Sequence, residues 1–349
     1  MNNNDIYFLF LILILIIAIK KKCEIAEHFS NDSIKKDHIF VSIASYRDSE
    51  CPLTIKSLFK QAEFPDKISI GICQQNKEDD VDCFENSERK NQIKIKKYKH
   101  LEAKGPTYAR YICSTMWDGE EYYLQIDSHM EFEKNWDSTA IKLLKNCKKL
   151  SNKPVLTHYP PSKTDKSGLL SYMCSSSFNT NNIPTFTSGL ISHREDNLQS
   201  PFSAAGLLFL ESHFLDVCPF DPYLPYLFQG EEILFSARLW TNGYDFYLPL
   251  KNLCKHSYTR ADSPKFWTDV KDWSNTQKES LKRAKYILKW IDEKELTEKT
   301  KKEIDKYGLG KERSIEDYYK FAGIDKKNKK GSNYCNKKYV IKDNKWVSI

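Results

Sequence analysis

A chain of 349 residues with 40% hydrophobic and 13% aromatic side chains carries enough apolar material for one large or two medium domains, which excludes global disorder. Its 54 basic and 47 acidic residues leave a net charge of +7, but the lysines are scattered through both halves, with no Arg-rich stripe and no nucleic-acid motif. Specific nucleic-acid binding is therefore set aside, while a basic pocket for a phosphorylated small molecule stays open.

The first element is an uninterrupted apolar run of 14 residues, Ile6 to Ile19. As a helix it spans about 21 Å, short of the roughly 30 Å hydrocarbon core, so flanking residues and snorkelling lysines must complete a single span. No positive region precedes the run and no clear small-x-small site closes it, which favours an uncleaved anchor over a signal peptide. Lys20, Lys21 and Lys22 would hold the C-terminal flank in the cytoplasm by the positive-inside rule; a lumenal domain needs the opposite. The sequon Asn31-Asp32-Ser33 matters only on a lumenal side. Residues 1–22 are read as the anchor and 23–37 as a charged, polar stem.

The folded part begins sharply at His38. "HIFVSIASY", His38 to Tyr46, reads as a buried strand, and "RDSECP" as a turn into a helix with Pro52 in its first turn. Strands are predicted over Lys67 to Gln74 and Ile93 to Tyr98, a helix over Gly105 to Trp117, and a fourth strand over "YYLQIDSHMEF", Tyr122 to Phe132. This order argues for an α/β, largely parallel sheet, in which ligands gather outside the carboxyl ends of strands. A helix from Trp136 to about Lys149 and a strand from Pro154 to Tyr159 follow. Residues 160–203, rich in Ser, Thr, Asn and Pro, show little periodicity and read as a long substrate loop. Ala204 to Leu210 restores a strand, and the helix opened by Gly230-Glu231-Glu232 stops at Asn242-Gly243 before a short strand. Beyond Arg260 the chain is predicted to be mainly helical and lysine-rich. The ten cysteines stand singly, without a CxxC pair; their even number permits disulfides and leaves the redox compartment undecided.

Asp127 and His129 sit two residues apart on the fourth predicted strand, so they would project to one face while Ser128 points away. One carboxylate and one imidazole form a half-site for a divalent cation whose other ligands are diphosphate oxygens and water, and they suit manganese better than calcium. The alternative is a strand-end acid and a half-buried histidine. His256, in "NLCKHSYTR", is the best third ligand, with His158 and His213 as further candidates. Glu231 and Glu232 open a helix, where acids complement its dipole; the functional reading has one of them contacting sugar hydroxyls or the acceptor.

The blocks "FVSIASYRDSECPLTIKSLFKQAEFPDKISIGICQQ", "GPTYARYICSTMWDGEEYYLQIDSHMEFEKNWD", "PYLFQGEEILFSARLWTNGYDFYLP" and "YGLGKERSIEDYYKFAGI" resemble, in order, those of glycosyltransferase family 60, retaining N-acetylglucosaminyltransferases that modify hydroxyproline or Ser/Thr of proteins. The second half is also similar, more distantly, to polypeptide N-acetylgalactosaminyltransferases. The resemblance implies a GT-A fold over residues 38–260, a helical C-terminal extension over 261–349 packed on it, UDP-GlcNAc as donor, a protein acceptor and Mn²⁺ as cofactor. It places Asp127, His129 and His256 at the metal. Ser45, Tyr46, Arg47, Asp48, Arg110 and Ser128 fall on the donor side, and Glu231 and Glu232 join Asp127 as catalytic candidates. Another UDP-sugar such as UDP-GalNAc, or a non-catalytic membrane-anchored glycan-binding module, are the rival readings. Such enzymes commonly hang from a Golgi or ER membrane with the catalytic domain in the lumen, whereas the lysines after Ile19 favour the cytoplasmic side.

Overall fold

The computed structural model describes residues 34–85, 87–192, 197–335, 339–342 and 345–348. The predicted anchor, the stem up to residue 33 and the Asn31 sequon lie outside the described residues. Among the described residues, no helix is long and apolar enough to cross a membrane.

In chain order, β1 (Lys35–Tyr46) leads to α1 (Cys51–Gln61), β2 (Ile68–Asn76) and β3 (Ile93–Lys99), then α2 (Pro106–Ser114), β4 (Glu120–Asp127), β5 (Met130–Phe132) and α3 (Trp136–Cys147). The strands β6 (Pro154–Thr157), β7 (Leu170–Phe178), β8 (Pro184–Ile191), β9 (Gln199–Ser200) and β10 (Leu207–Glu211) follow, then α4 (Phe214–Val217) and α5 (Glu231–Thr241). After β11 (Asp245–Tyr247) and β12 (Cys254–His256) come α6 (Phe266–Asp269), α7 (Trp273–Ile287), α8 (Glu298–Lys301), α9 (Ile304–Tyr307) and α10 (Ile315–Ala322).

An 8-stranded sheet runs in the order β3-β2-β1-β4-β10-β6-β11-β9. The first four strands are parallel, as the alternation of strands and helices predicts, while β10 enters antiparallel to both β4 and β6. Alternate residues feed two cores. Ile39, Val41 and Ile43 of β1 and Tyr122, Leu124 and Ile126 of β4 pack with Ile55, Leu58 and Trp136 on one face. Phe40 and Tyr123 pack with Ala109, Ile233 and Trp240 on the other. Each fully buried apolar side chain contributes about 1.5–3 kcal/mol, so covering both faces holds the sheet between helical layers.

Two sequence expectations are corrected by this arrangement. The segment Tyr122 to Phe132 is not one strand: β4 ends at Asp127, the chain bends at Ser128-His129, and β5 leaves the large sheet to pair antiparallel with β12. Thr54 of α1 pins the bend, its hydroxyl donating to the Ser128 carbonyl at 2.9 Å and accepting from Met130 N–H at 2.8 Å. Residues 160–203 are not a featureless loop, because β7 and β8 form a hairpin and β9 joins the sheet edge. Its turn is made by Asn179 and by Asn182, which has φ 54°. The hairpin is fastened to the C-terminal region by the Cys174–Cys335 disulfide and by the Ser175 hydroxyl donating to the Ser332 carbonyl at 2.8 Å. Periodicity cannot show such distant fastening.

The C-terminal extension is helical to Ala322, then ends in a strand pair, Tyr339–Lys342 with Lys345–Ser348. It is clamped to the sheet half by a buried ion pair, Arg283 Nε to Asp221 Oδ2 at 2.7 Å, and by Arg313 with Asp245 at 2.8 Å. A second disulfide joins Cys51 and Cys83.

Candidate active site

The carboxyl ends of β1, β2 and β4, the N-termini of α2 and α5, the turn before β10 and the end of β12 surround a cleft of about 490 Å³. Two glycines shape its walls. Gly105 (φ 83°) precedes α2, and a Cβ there would lie 2.8 Å from Tyr226 Cα; at Gly230 (φ 106°), before α5, it would meet Ile183 at 2.8 Å. Only glycine meets both demands without strain.

At the floor, Asp127, His129 and His256 converge, their ligand atoms all lying within 4.8 Å of one another. Asp127 Oδ2 is 3.2 Å from His256 Nε2, which is 2.9 Å from His129 Nε2. The β5–β12 ladder is what places the histidines together, pairing Met130 with His256. Their convergence comes from the bend after β4 and this second small sheet, not from strand alternation. With the proton of His129 on Nδ1, donated to Asp48 Oδ2 at 2.8 Å, its Nε2 lone pair faces the cluster, and the single His256 Nε2 proton lies between that lone pair and Asp127 Oδ2. A cation would replace that proton. One carboxylate and two imidazoles, one oriented by a carboxylate behind it, fit a borderline divalent ion such as Mn²⁺. Burial alone would raise the Asp127 carboxyl, but the His256 hydrogen bond and the Arg110 guanidinium outweigh it and hold Asp127 well below the usual carboxylate range.

The remaining sequence candidates divide. Tyr46, Asp48, Arg110, Ser128, Glu231 and Glu232 line the cleft. Asp48, only 4% exposed, receives Ser128 Oγ at 2.5 Å and Arg260 Nη2 at 3.0 Å besides His129, so both Asp48 and Ser128 are engaged with protein. The Arg110 guanidinium reaches Asp127 Oδ1 at 3.2 Å and pairs with Glu231 Oε1, tying the end of β4 to the start of α5. Glu232 accepts from Tyr159 Oη at 2.7 Å and from Ala205 N–H at 2.9 Å; burial raises its carboxyl, and these bonds offset that only in part. Ser45 and Arg47 are not among the lining residues. The Ser45 hydroxyl is fully buried without a hydrogen-bond partner, and Arg47 is ion-paired to Asp80 and Asp269. His158 is enclosed away from the cleft, and His213 lies beside Glu211, 3.6 Å away.

Sequence reading missed Arg260, Lys265 and the aromatic rim of Phe228, Tyr258 and Trp267, all of which line the cleft. Arg260 stands four residues after His256, near enough to have been sought as a cation beside a metal motif. Its Nη1 lies 3.3 Å from His129 Nε2. The rim had no local signal, since its members come from separate segments.

The architecture is that of GT-A transferases. It is similar to GalNAc-T7 in a structure with UDP, GalNAc and Mn²⁺, at a TM-score of 0.51 and 17% identity, covering 74% of this chain and 49% of that one. S. aureus TarS 1-349 in complex with UDP-GlcNAc gives a TM-score of 0.44 and 13% identity over 68% of this chain and 64% of that one. This chain thus spans about half the length of the GalNAc-T7 chain and under two thirds of TarS 1-349. No curated protein sequence matches it. The family model Glycosyltransferase (GlcNAc) matches residues 38–90 and 84–328, and the chain belongs to that glycosyltransferase family.

Proposed function

We propose that this chain transfers N-acetylglucosamine from UDP-GlcNAc to a protein hydroxyl, hydroxyproline or Ser/Thr, with retention of configuration. The observation that carries the reading is the convergence of Asp127, His129 and His256 on the floor of a cleft in a member of the Glycosyltransferase (GlcNAc) family. The UDP, GalNAc and Mn²⁺ in the GalNAc-T7 structure support a nucleotide-sugar donor and a cation. Asp127, His129 and His256 would hold Mn²⁺, which when bound neutralises charge developing on the diphosphate leaving group.

The chain's own residues complete the arrangement. Arg110 is committed to Asp127 and Glu231, so it holds both carboxylates in place. Further positive charge for the diphosphate comes from Lys265, with Arg260, itself paired to Asp48, on the same wall of the cleft. Glu232, at the start of α5 with a raised carboxyl, orients a sugar or acceptor hydroxyl. The acceptor hydroxyl attacks the anomeric carbon on the face that the diphosphate leaves, its proton passing to the departing diphosphate oxygen, so no dedicated general base is needed.

Two disulfides support residence of the domain on the oxidising, lumenal side of a Golgi or ER membrane, with residues 6–19 as a single-pass anchor. Glycan on Asn31 would establish that side, and its absence from a glycosylating host would count for the cytoplasm.

The test mixes protein, Mn²⁺ and a panel of nucleotide sugars and follows free UDP. UDP-GlcNAc is expected to be turned over fastest. UDP-GalNAc as the preferred donor would reassign the sugar, and no UDP release with any donor or acceptor would leave a glycan-binding module.

A further inference from the structure

The segment after His256, residues 257–269, forms one wall of the cleft and contributes Arg260, Lys265, Phe266 and Trp267 to its lining. At its near end Arg260 is held by Asp48 at 3.0 Å. At its far end the fastening is Asp269, the last residue of α6. Its Oδ2 accepts from Tyr46 Oη at 2.7 Å and from Arg47 Nη1 at 2.8 Å, across more than two hundred residues of chain. Arg47 is itself gripped from behind, with Nε donating to Asp80 Oδ2 at 2.8 Å. Its backbone has φ 48°, in the left-handed region that side chains rarely adopt, and its N–H donates to the Gln75 carbonyl at 3.1 Å. With that backbone geometry both adjacent side chains reach the same Asp269 oxygen, Tyr46 from within the cleft lining and Arg47 from outside it.

We propose that Arg47 and Asp269 are positioning residues, a latch that holds the strap Pro264 to Trp267 against the donor end of the cleft. This rests on the cleft being the donor site. The latch side chains are about a fifth exposed, 18% for Arg47 and 21% for Asp269, so the pair is largely shielded from solvent screening. Its effect falls on the segment it fastens, because Ala261 and Asp262 are solvent-exposed and Trp267 is 39% exposed. Releasing Asp269 frees a wall that carries the cations facing the triad while leaving the triad's own contacts in place.

The experiment compares the full chain with Asp269→Ala, Asp269→Glu, Arg47→Ala and the Arg47→Ala/Asp269→Ala double variant. Two readouts are used: the rate of tryptic cleavage at Lys265 and Lys271 without ligand, and UDP affinity in Mn²⁺ by calorimetry. Each alanine variant is expected to speed cleavage at those two sites selectively and to weaken UDP binding about tenfold. The double variant should be no worse than Asp269→Ala, which already removes the contacts of Asp269 with both Arg47 and Tyr46, and Asp269→Glu should stay near wild type. Additive effects in the double variant, or unchanged cleavage and affinity in both single variants, overturn the latch. A wild-type chain that binds no UDP overturns the donor reading instead, and the cleavage rates still show whether Asp269 fastens the strap.

Discussion

Asp48 Oδ2 lies 2.8 Å from His129 Nδ1, and this one contact decides which nitrogen of His129 faces the cleft. The carboxylate holds the proton on Nδ1 and leaves the Nε2 lone pair directed at His256 and Asp127. The Asp48 carboxyl lies below its ordinary value: burial would raise it, but His129, Ser128 and Arg260 together outweigh burial.

Asp48→Asn should therefore weaken Mn²⁺ binding by about 10–100-fold without removing a ligand, the cost typical of losing a group behind a metal-bound histidine. Titration of free Mn²⁺ by electron paramagnetic resonance measures this directly. Affinity equal to wild type would remove Asp48 from the metal site.

Asp127→Ala is expected to abolish metal-dependent transfer and donor hydrolysis while leaving the chain folded, because Asp127 stands at the open end of β4. Circular dichroism checks the fold and UDP release checks activity. Wild-type turnover by the soluble variant in EDTA would refute the metal role.

Arg110→Met leaves Asp127 and Glu231 without their shared counter-charge in a side chain environment only 5% exposed at the arginine. Breaking a buried pair from one side costs about 3–5 kcal/mol, so the urea midpoint should fall markedly at pH 7. Part of the loss should return at lower pH, where the stranded carboxylates protonate.

His158 has no exposure and no partner for either ring nitrogen. Burial pushes its pKa down to about 4. With the folded value below the unfolded one, the unfolded chain binds the extra proton between those values, so this residue's contribution to stability falls as pH drops from about 6.5 toward 4. The span corresponds to about 3 kcal/mol. His158→Leu should remove this share of the pH dependence between pH 5 and 7 in denaturant melts, and an unchanged slope would show that His158 is not buried neutral.

Cys174→Ser, which opens a link spanning 161 residues, should cost about 2–5 kcal/mol and loosen the β7–β8 hairpin. Thermal melts with and without reductant, together with hydrogen exchange over residues 170–191, would measure it. Reductant-insensitive wild-type melts would argue against the bond.

The strands and helices of the parallel half were legible because each is a local matter. Ile39, Val41 and Ile43 announce a buried strand, Pro52 and Pro106 announce helix starts, and Asn242-Gly243 announces a stop. The hairpin in 170–191 was not legible, since its Ser and Thr residues resemble a loop until Cys335 and Ser332 are brought alongside.

By itself, the sequence determined the order of elements, the residue types able to bind a cation, and the blocks that mark the family. Tertiary structure alone decided that β4 breaks at Asp127, that β5 and β12 bring His129 against His256, and that Arg47 and Tyr46 meet Asp269. Local periodicity records burial along one segment. Pairing between segments depends on distant hydrogen bonds and charges, and a single sequence carries no pattern that reports them.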